Sequence, residues 1–169
     1  MDTRGIDHVV VVVRDAETAR LGYLRVFGEA AVGPVEEAES YRRCIVDVGS
    51  HRLEICQPLP TDNPAESQAS RAFTRTLETR GEGLHSIAVQ VPDVVAAAAE
   101  LGEAEVPILE SALSRSFFVH PRALGGLIVQ FLEADGAARL PEEGFSPRPG
   151  VPPALLTPRG EPEKINPES

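Results

Sequence analysis

The chain has 169 residues, 42% of them hydrophobic, which is enough for one core of ordinary size and too few for two full independent domains. Asp and Glu outnumber Lys and Arg by 26 to 16, and the resulting net charge of -10 argues against nucleic acid or an anionic membrane as a bulk partner. With no apolar run of membrane-spanning length, no signal peptide, and Cys44 and Cys56 in separate apolar runs, a cytoplasmic protein with reduced core thiols is expected.

Residues 6–13 are β-branched almost throughout and predict a buried strand. Asp15 then caps a helix that runs to Phe27 and is stopped by Gly28. Strands are predicted over 30–35, 41–48 and 52–58, the last two joined by a tight turn at Gly49-Ser50. A polar connection, 61–83, carries a short helix around 69–77 and is expected to pack across the sheet edge. The plan then recurs: a strand over 84–91, an alanine-rich helix capped by Asp93 and ending near Gly102, and short strands over 106–109, 115–120 and 126–133.

Two βαβββ units in one chain, 5–60 and 84–134, predict an α+β domain over 5–134 in which the units pair into a cup-shaped mixed sheet. The Pro- and Gly-rich remainder, 135–169, has few large apolar residues and is expected to be disordered or draped on the domain, with Leu155-Leu156 the one pair able to dock.

The paired plan, together with Ile6-Asp7-His8-Val9, Leu53-Glu54-Ile55, Gly81-Glu82-Gly83-Leu84-His85-Ser86-Ile87-Ala88, and His120-Pro121 followed by Gly125-Gly126-Leu127-Ile128-Val129-Gln130, resembles the vicinal oxygen chelate (glyoxalase/bleomycin resistance/dioxygenase) superfamily. Within it the nearest resemblance is to methylmalonyl-CoA epimerases. The resemblance implies a divalent metal at the floor of the cup, held from the first and last strands of each unit, and enolate chemistry next to a thioester. It places His8 and Glu54 at two metal positions, where an imidazole and a carboxylate suit Co, Mn, Zn or Fe. The bland alternatives are a histidine packed at a strand start and a carboxylate answering Arg52.

The second unit departs from the family pattern. His8 lies seven residues before its cap Asp15, and the residue seven before Asp93 is Ser86, so His85 is out of register by one. Only a bulge would turn His85 toward the face of His8 and restore two histidines and a carboxylate. Gln130 stands where the family has a glutamate, and Arg43 where it has an acid-base carboxylate, so both carboxylates of the epimerase scheme are replaced. The expected cofactor is therefore none, or a weakly held divalent metal.

The expected function is a diverged epimerase- or isomerase-like enzyme acting on a small acidic or carbonyl substrate. Glu54 is its base, His8 its acid or metal ligand, and Arg43, Arg52, Ser86 and Gln130 bind substrate. The alternative is a metal-free small-molecule-binding or resistance protein, and a metal-dependent dioxygenase or lyase using His85 ranks third. A homodimer is expected from the family alone. His120-Pro121 is read as a structural turn, and His51 as exposed.

Overall fold

The computed structural model describes residues 1–38, 40–60, 67–111 and 115–134; the predicted tail, 135–169, lies outside the described residues. Its first unit is β1 (Gly5–Val12), α1 (Ala16–Phe27), β2 (Val32–Glu37), β3 (Tyr41–Val48) and β4 (His51–Pro58). After α2 (Ser67–Thr79) the second unit follows as β5 (Gly83–Val91), α3 (Val94–Glu103), β6 (Ile108–Glu110), β7 (Ser116–Val119) and β8 (Ile128–Glu133). All eight strands form one mixed sheet in the order β2-β3-β4-β1-β5-β8-β7-β6. The first strands of the two units pair antiparallel at its centre, and each pairs in parallel with the last strand of its own unit. The paired α+β cup expected from the repeat is the architecture found.

The helix starts follow the predicted chemistry. The Asp15 side chain accepts from the Thr18 amide, and Asp93 accepts from the amides of Val95 and Ala96. Each cap is worth about 1 kcal/mol. Gly28, at φ 80°, ends α1 in a backbone conformation open to glycine.

Three strands begin two residues later than the composition suggests, each for a local reason. After Gly28 the chain turns once more, with the Ala31 amide on the Gly28 carbonyl, before β2 can start. Val106 spends its amide on the Leu101 carbonyl at the end of α3, and Pro107 has no amide to offer a ladder. Gly125 and Gly126 have φ of 60° and 94° and belong to the turn after the 3-10 helix Pro121–Leu124. His120 caps that short helix by accepting from the Arg122 amide, the structural role predicted for it.

The two faces of the sheet carry different cores. On the convex face α1 covers Cys44, Val46 and Ile55, while α3 covers Val91, Phe117, Val119, Val129 and Phe131. The concave face of the first unit is capped by α2, whose Phe73 and Leu77 pack on Val10, Val12, Tyr41 and Cys56. The connection thus lies on the concave face rather than across the sheet edge, because Phe73, Thr76 and Leu77 make one buried stripe at helical spacing. Cys44 and Cys56 are free, buried and on opposite faces. Among the described residues no helix is long and apolar enough to cross a membrane.

Candidate functional site

Strand register places the site on the concave face. One rung of the sheet reads Asp47, Arg52, His8, Ala88, Gln130 and Phe118 across β3, β4, β1, β5, β8 and β7. The next reads Ile45, Glu54, Val10, Ser86 and Ile128. His8 and Arg52 are therefore direct neighbours, Glu54 is one rung along, and Gln130 stands two strand spacings from His8, about 10 Å. Ser86 is likewise separated from Glu54 by Val10. Arg43 sits farther along β3, opposite Cys56 beneath α2, with its guanidinium 3.7 Å from the Glu36 carboxylate. It does not join Arg52.

Two β-bulges shape this surface. Between Ile6 and His8 the ladder to β5 advances by one residue while β1 advances by two, so Asp7 is the extra residue. Between Val10 and Val11 the mismatch is reversed, and His85 is the extra residue of β5. A bulge re-aims a side chain that strict alternation would send to the other face. Asp7 and His85 occupy the same place in the repeat, each eight residues before its helix cap.

Asp7 is the site residue that the sequence reading missed. Its Oδ1 lies 2.7 Å from His8 Nδ1 and 3.6 Å from the Arg52 guanidinium, while Oδ2 accepts from the Gln90 amide at 2.6 Å. Burial alone would raise the Asp7 pKa. The His8 hydrogen bond and charge, then Arg52 and Gln90, outweigh it and hold the carboxyl well below the usual range. For His8, burial favours the neutral ring, yet the Glu54 charge and the Asp7 hydrogen bond outweigh it against Arg52, and the pKa ends above its ordinary value. Two carboxyl groups, an imidazole and a guanidinium thus meet in a buried cluster, with His8, Arg52 and Glu54 each 4–6% exposed. Within it Glu54 Oε2 is buried without a hydrogen-bond partner, an arrangement that costs about 1–3 kcal/mol unless a ligand answers it.

The His85 bulge brings that ring onto the α2 side of the sheet without making a second ligand for His8. The single hydroxyl hydrogen of Thr76 goes to the Ala72 carbonyl at 3.0 Å, so His85 Nδ1, 2.8 Å from Thr76 Oγ1, is the donor. Phe73 meets it edge-on with centroids 5.0 Å apart. Burial, and then the Arg80 charge, push the His85 pKa down to about 4. Gln130 donates to the Ser116 hydroxyl at 3.2 Å.

These residues do not fit a tightly held divalent transition ion. The four family positions offer one imidazole, one carboxylate, one hydroxyl and one amide, and the imidazole already gives Nδ1 to Asp7. No three His, Cys, Asp or Glu side chains among the described residues gather as an ion site. Separately, a cavity of about 510 Å³ lies beyond this cluster, between Leu59 and the Arg71, Thr74, Arg75 and Glu78 side of α2.

Residues 7–117 match the family profile described as the glyoxalase/bleomycin resistance protein/dioxygenase superfamily. The chain belongs to this superfamily. Among curated relatives, bovine mitochondrial methylmalonyl-CoA epimerase is 26% identical over 136 residues, covering 76% of this chain and 74% of the relative. Ethylmalonyl-CoA/methylmalonyl-CoA epimerase of Cereibacter sphaeroides is 24% identical, covering 74% of this chain and 94% of that protein. A methylmalonyl-CoA epimerase solved with methylmalonyl-CoA and ammonium aligns with a TM-score of 0.64 at 23% identity, over 82% of this chain and 98% of that one. A Streptomyces coelicolor epimerase variant solved with 2-nitronate-propionyl-CoA aligns at 0.63 and 23%, over 78% and 98%. These structural likenesses establish the shared fold of this superfamily member.

Proposed function

We propose that this superfamily member is an epimerase- or isomerase-like enzyme that moves a proton at a carbon beside a carbonyl, with a small acidic acyl thioester as the first substrate class. The observation that carries the reading is the buried, unpartnered Glu54 oxygen on the same concave face as an imidazole held by Asp7. Curated relatives named as epimerases of acyl-CoA thioesters support the substrate class.

In this reading the Glu54 carboxylate takes the α-proton and becomes a neutral acid. The C–H electron pair forms a carbon–carbon double bond and the carbonyl π pair moves onto oxygen, giving an enolate. His8, as a donor through Nε2, and the Arg52 guanidinium meet that negative charge where water is excluded and each charge acts strongly. The proton returns to carbon from Glu54, or from His8 with a proton then passing through solvent from Glu54 back to His8, and the enolate collapses to the carbonyl. Ser86 and Gln130 offer a hydroxyl and an amide to the remaining substrate oxygens, while Arg43, paired to Glu36, sits too far along β3 to share the reacting carbon. The reading routes no step through a metal, and any divalent ion is held weakly.

The second reading, a binding protein that sequesters a small molecule, is favoured by one observation: neither Arg43 nor Gln130 supplies a second acid-base carboxylate. Proton NMR in D₂O separates the two. Methylmalonyl-CoA, other 2-branched acyl thioesters and the corresponding free acids are incubated with the protein. Loss of an α-proton signal is expected for at least one of them, slowed about 1,000-fold in Glu54→Gln. Saturable binding with no washout from any compound would transfer the assignment to the binding reading, and neither binding nor washout would remove both.

A further inference from the structure

The family's metal position raises a question that the donor set alone does not answer: what neutralises Glu54 and Asp7 on a buried face. We propose that the Arg52 guanidinium is a built-in cation in the electrostatic place of the divalent ion, and that its charge opposes metal binding in this cup.

Arg52 is 4% exposed, stands on the rung between Asp47 and His8, and shares its strand face with Glu54 two residues on. Its guanidinium also reaches Asp7 Oδ1 at 3.6 Å. The guanidinium thus already sets a positive charge beside Asp7, on the strand face it shares with Glu54. A divalent ion entering that buried set would face the guanidinium at short range. Without Arg52 the face keeps an imidazole and two carboxyl groups and loses the cation that opposes a divalent ion. The Arg52 charge thus opposes metal in addition to the weak ligands at Ser86 and Gln130, and can be removed separately from them.

The test reads metal binding alone and stands whether or not the protein moves protons. Wild-type protein, Arg52→Met and Arg52→Lys, each checked for folding by circular dichroism, are titrated with Co²⁺ in the visible spectrum and with Zn²⁺ by calorimetry. Wild type should show no saturable binding below about 1 mM, Arg52→Met should bind at least about ten-fold tighter, and Arg52→Lys, which retains the charge, should stay weak. Tight stoichiometric binding by wild type that is lost in Glu54→Gln would overturn the proposal. So would a folded Arg52→Met that gains nothing, or an Arg52→Lys that binds as tightly as Arg52→Met. If Arg52→Met does not fold, the wild-type and Arg52→Lys titrations decide, because tight binding by either contradicts a charge that opposes metal.

Discussion

Asp7→Ala should destabilise the protein by about 3–5 kcal/mol, because it removes one member of a buried charge cluster and leaves the others uncompensated. His8 loses the acceptor at 2.7 Å, the Gln90 amide loses its acceptor at 2.6 Å, and Arg52 loses a carboxylate at 3.6 Å. For a domain of this size the melting temperature should fall by roughly 10–20 °C. Asp7→Asn keeps an oxygen for His8 and should cost about half as much. The pH dependence has a definite sign. Asp7 has a depressed folded pKa, so its contribution is present above the ordinary carboxylate value and lost as pH falls through the depressed one. His8 has a raised folded pKa, so its contribution is full below its ordinary value and lost as pH rises through the raised one. The penalty for Asp7→Ala should therefore be largest between these limits. Denaturant melts across pH check this, and a loss below about 1 kcal/mol would show that the bulge holds no coupled cluster.

His85 should impose a separate acid sensitivity of about 3 kcal/mol between pH 6.5 and 4. Burial and Arg80 lower its pKa from 6.5 to about 4, so the folded state prefers the neutral ring. As pH drops through 6.5 the unfolded chain binds a proton that the folded chain refuses, and stability falls until pH approaches 4. Neither cluster group confounds this interval, since the His8 contribution is already full there and that of Asp7 is not yet lost. The stability difference between wild type and His85→Gln, measured by denaturant melts, should narrow by that amount across the window. A constant difference would mean that the ring accepts a proton in place, contrary to the burial and the Arg80 charge that lower its pKa.

The features of the fold that repeat were legible in the sequence. Asp15 and Asp93 announced two helices through the same capping chemistry, and β-branched runs marked β1 and β5. The candidate site was legible in part: His8, Arg52 and Glu54 fall together because parallel pairing of β1 with β4 sets them on adjacent rungs. Asp7 was not, since a period of two sends it to the face opposite His8, and a bulge leaves no mark in composition. The internal repeat held the one available signal. The sequence count that set His85 one position out of register with His8 also makes His85 the counterpart of Asp7, so one bulge entails asking about the other. The place of α2 over Val10, Val12 and Tyr41 was likewise hidden, because its stripe of Phe73, Thr76 and Leu77 states which side is buried but not against what.

The central claim is that the concave cluster of Asp7, His8, Arg52 and Glu54 receives an enolate-like ligand. A crystal structure of the protein with 2-nitronate-propionyl-CoA, an anionic mimic of the enolate already found with a Streptomyces coelicolor epimerase variant, tests it most directly. The nitronate oxygens should lie within hydrogen-bond reach of His8 Nε2 and the Arg52 guanidinium, with Glu54 Oε2 beside the carbon that would give up its proton. A nitronate seated instead in the cavity between Leu59 and the Arg71 and Arg75 side of α2, with Glu54 and His8 still covered, would contradict the assignment of chemistry to this cluster.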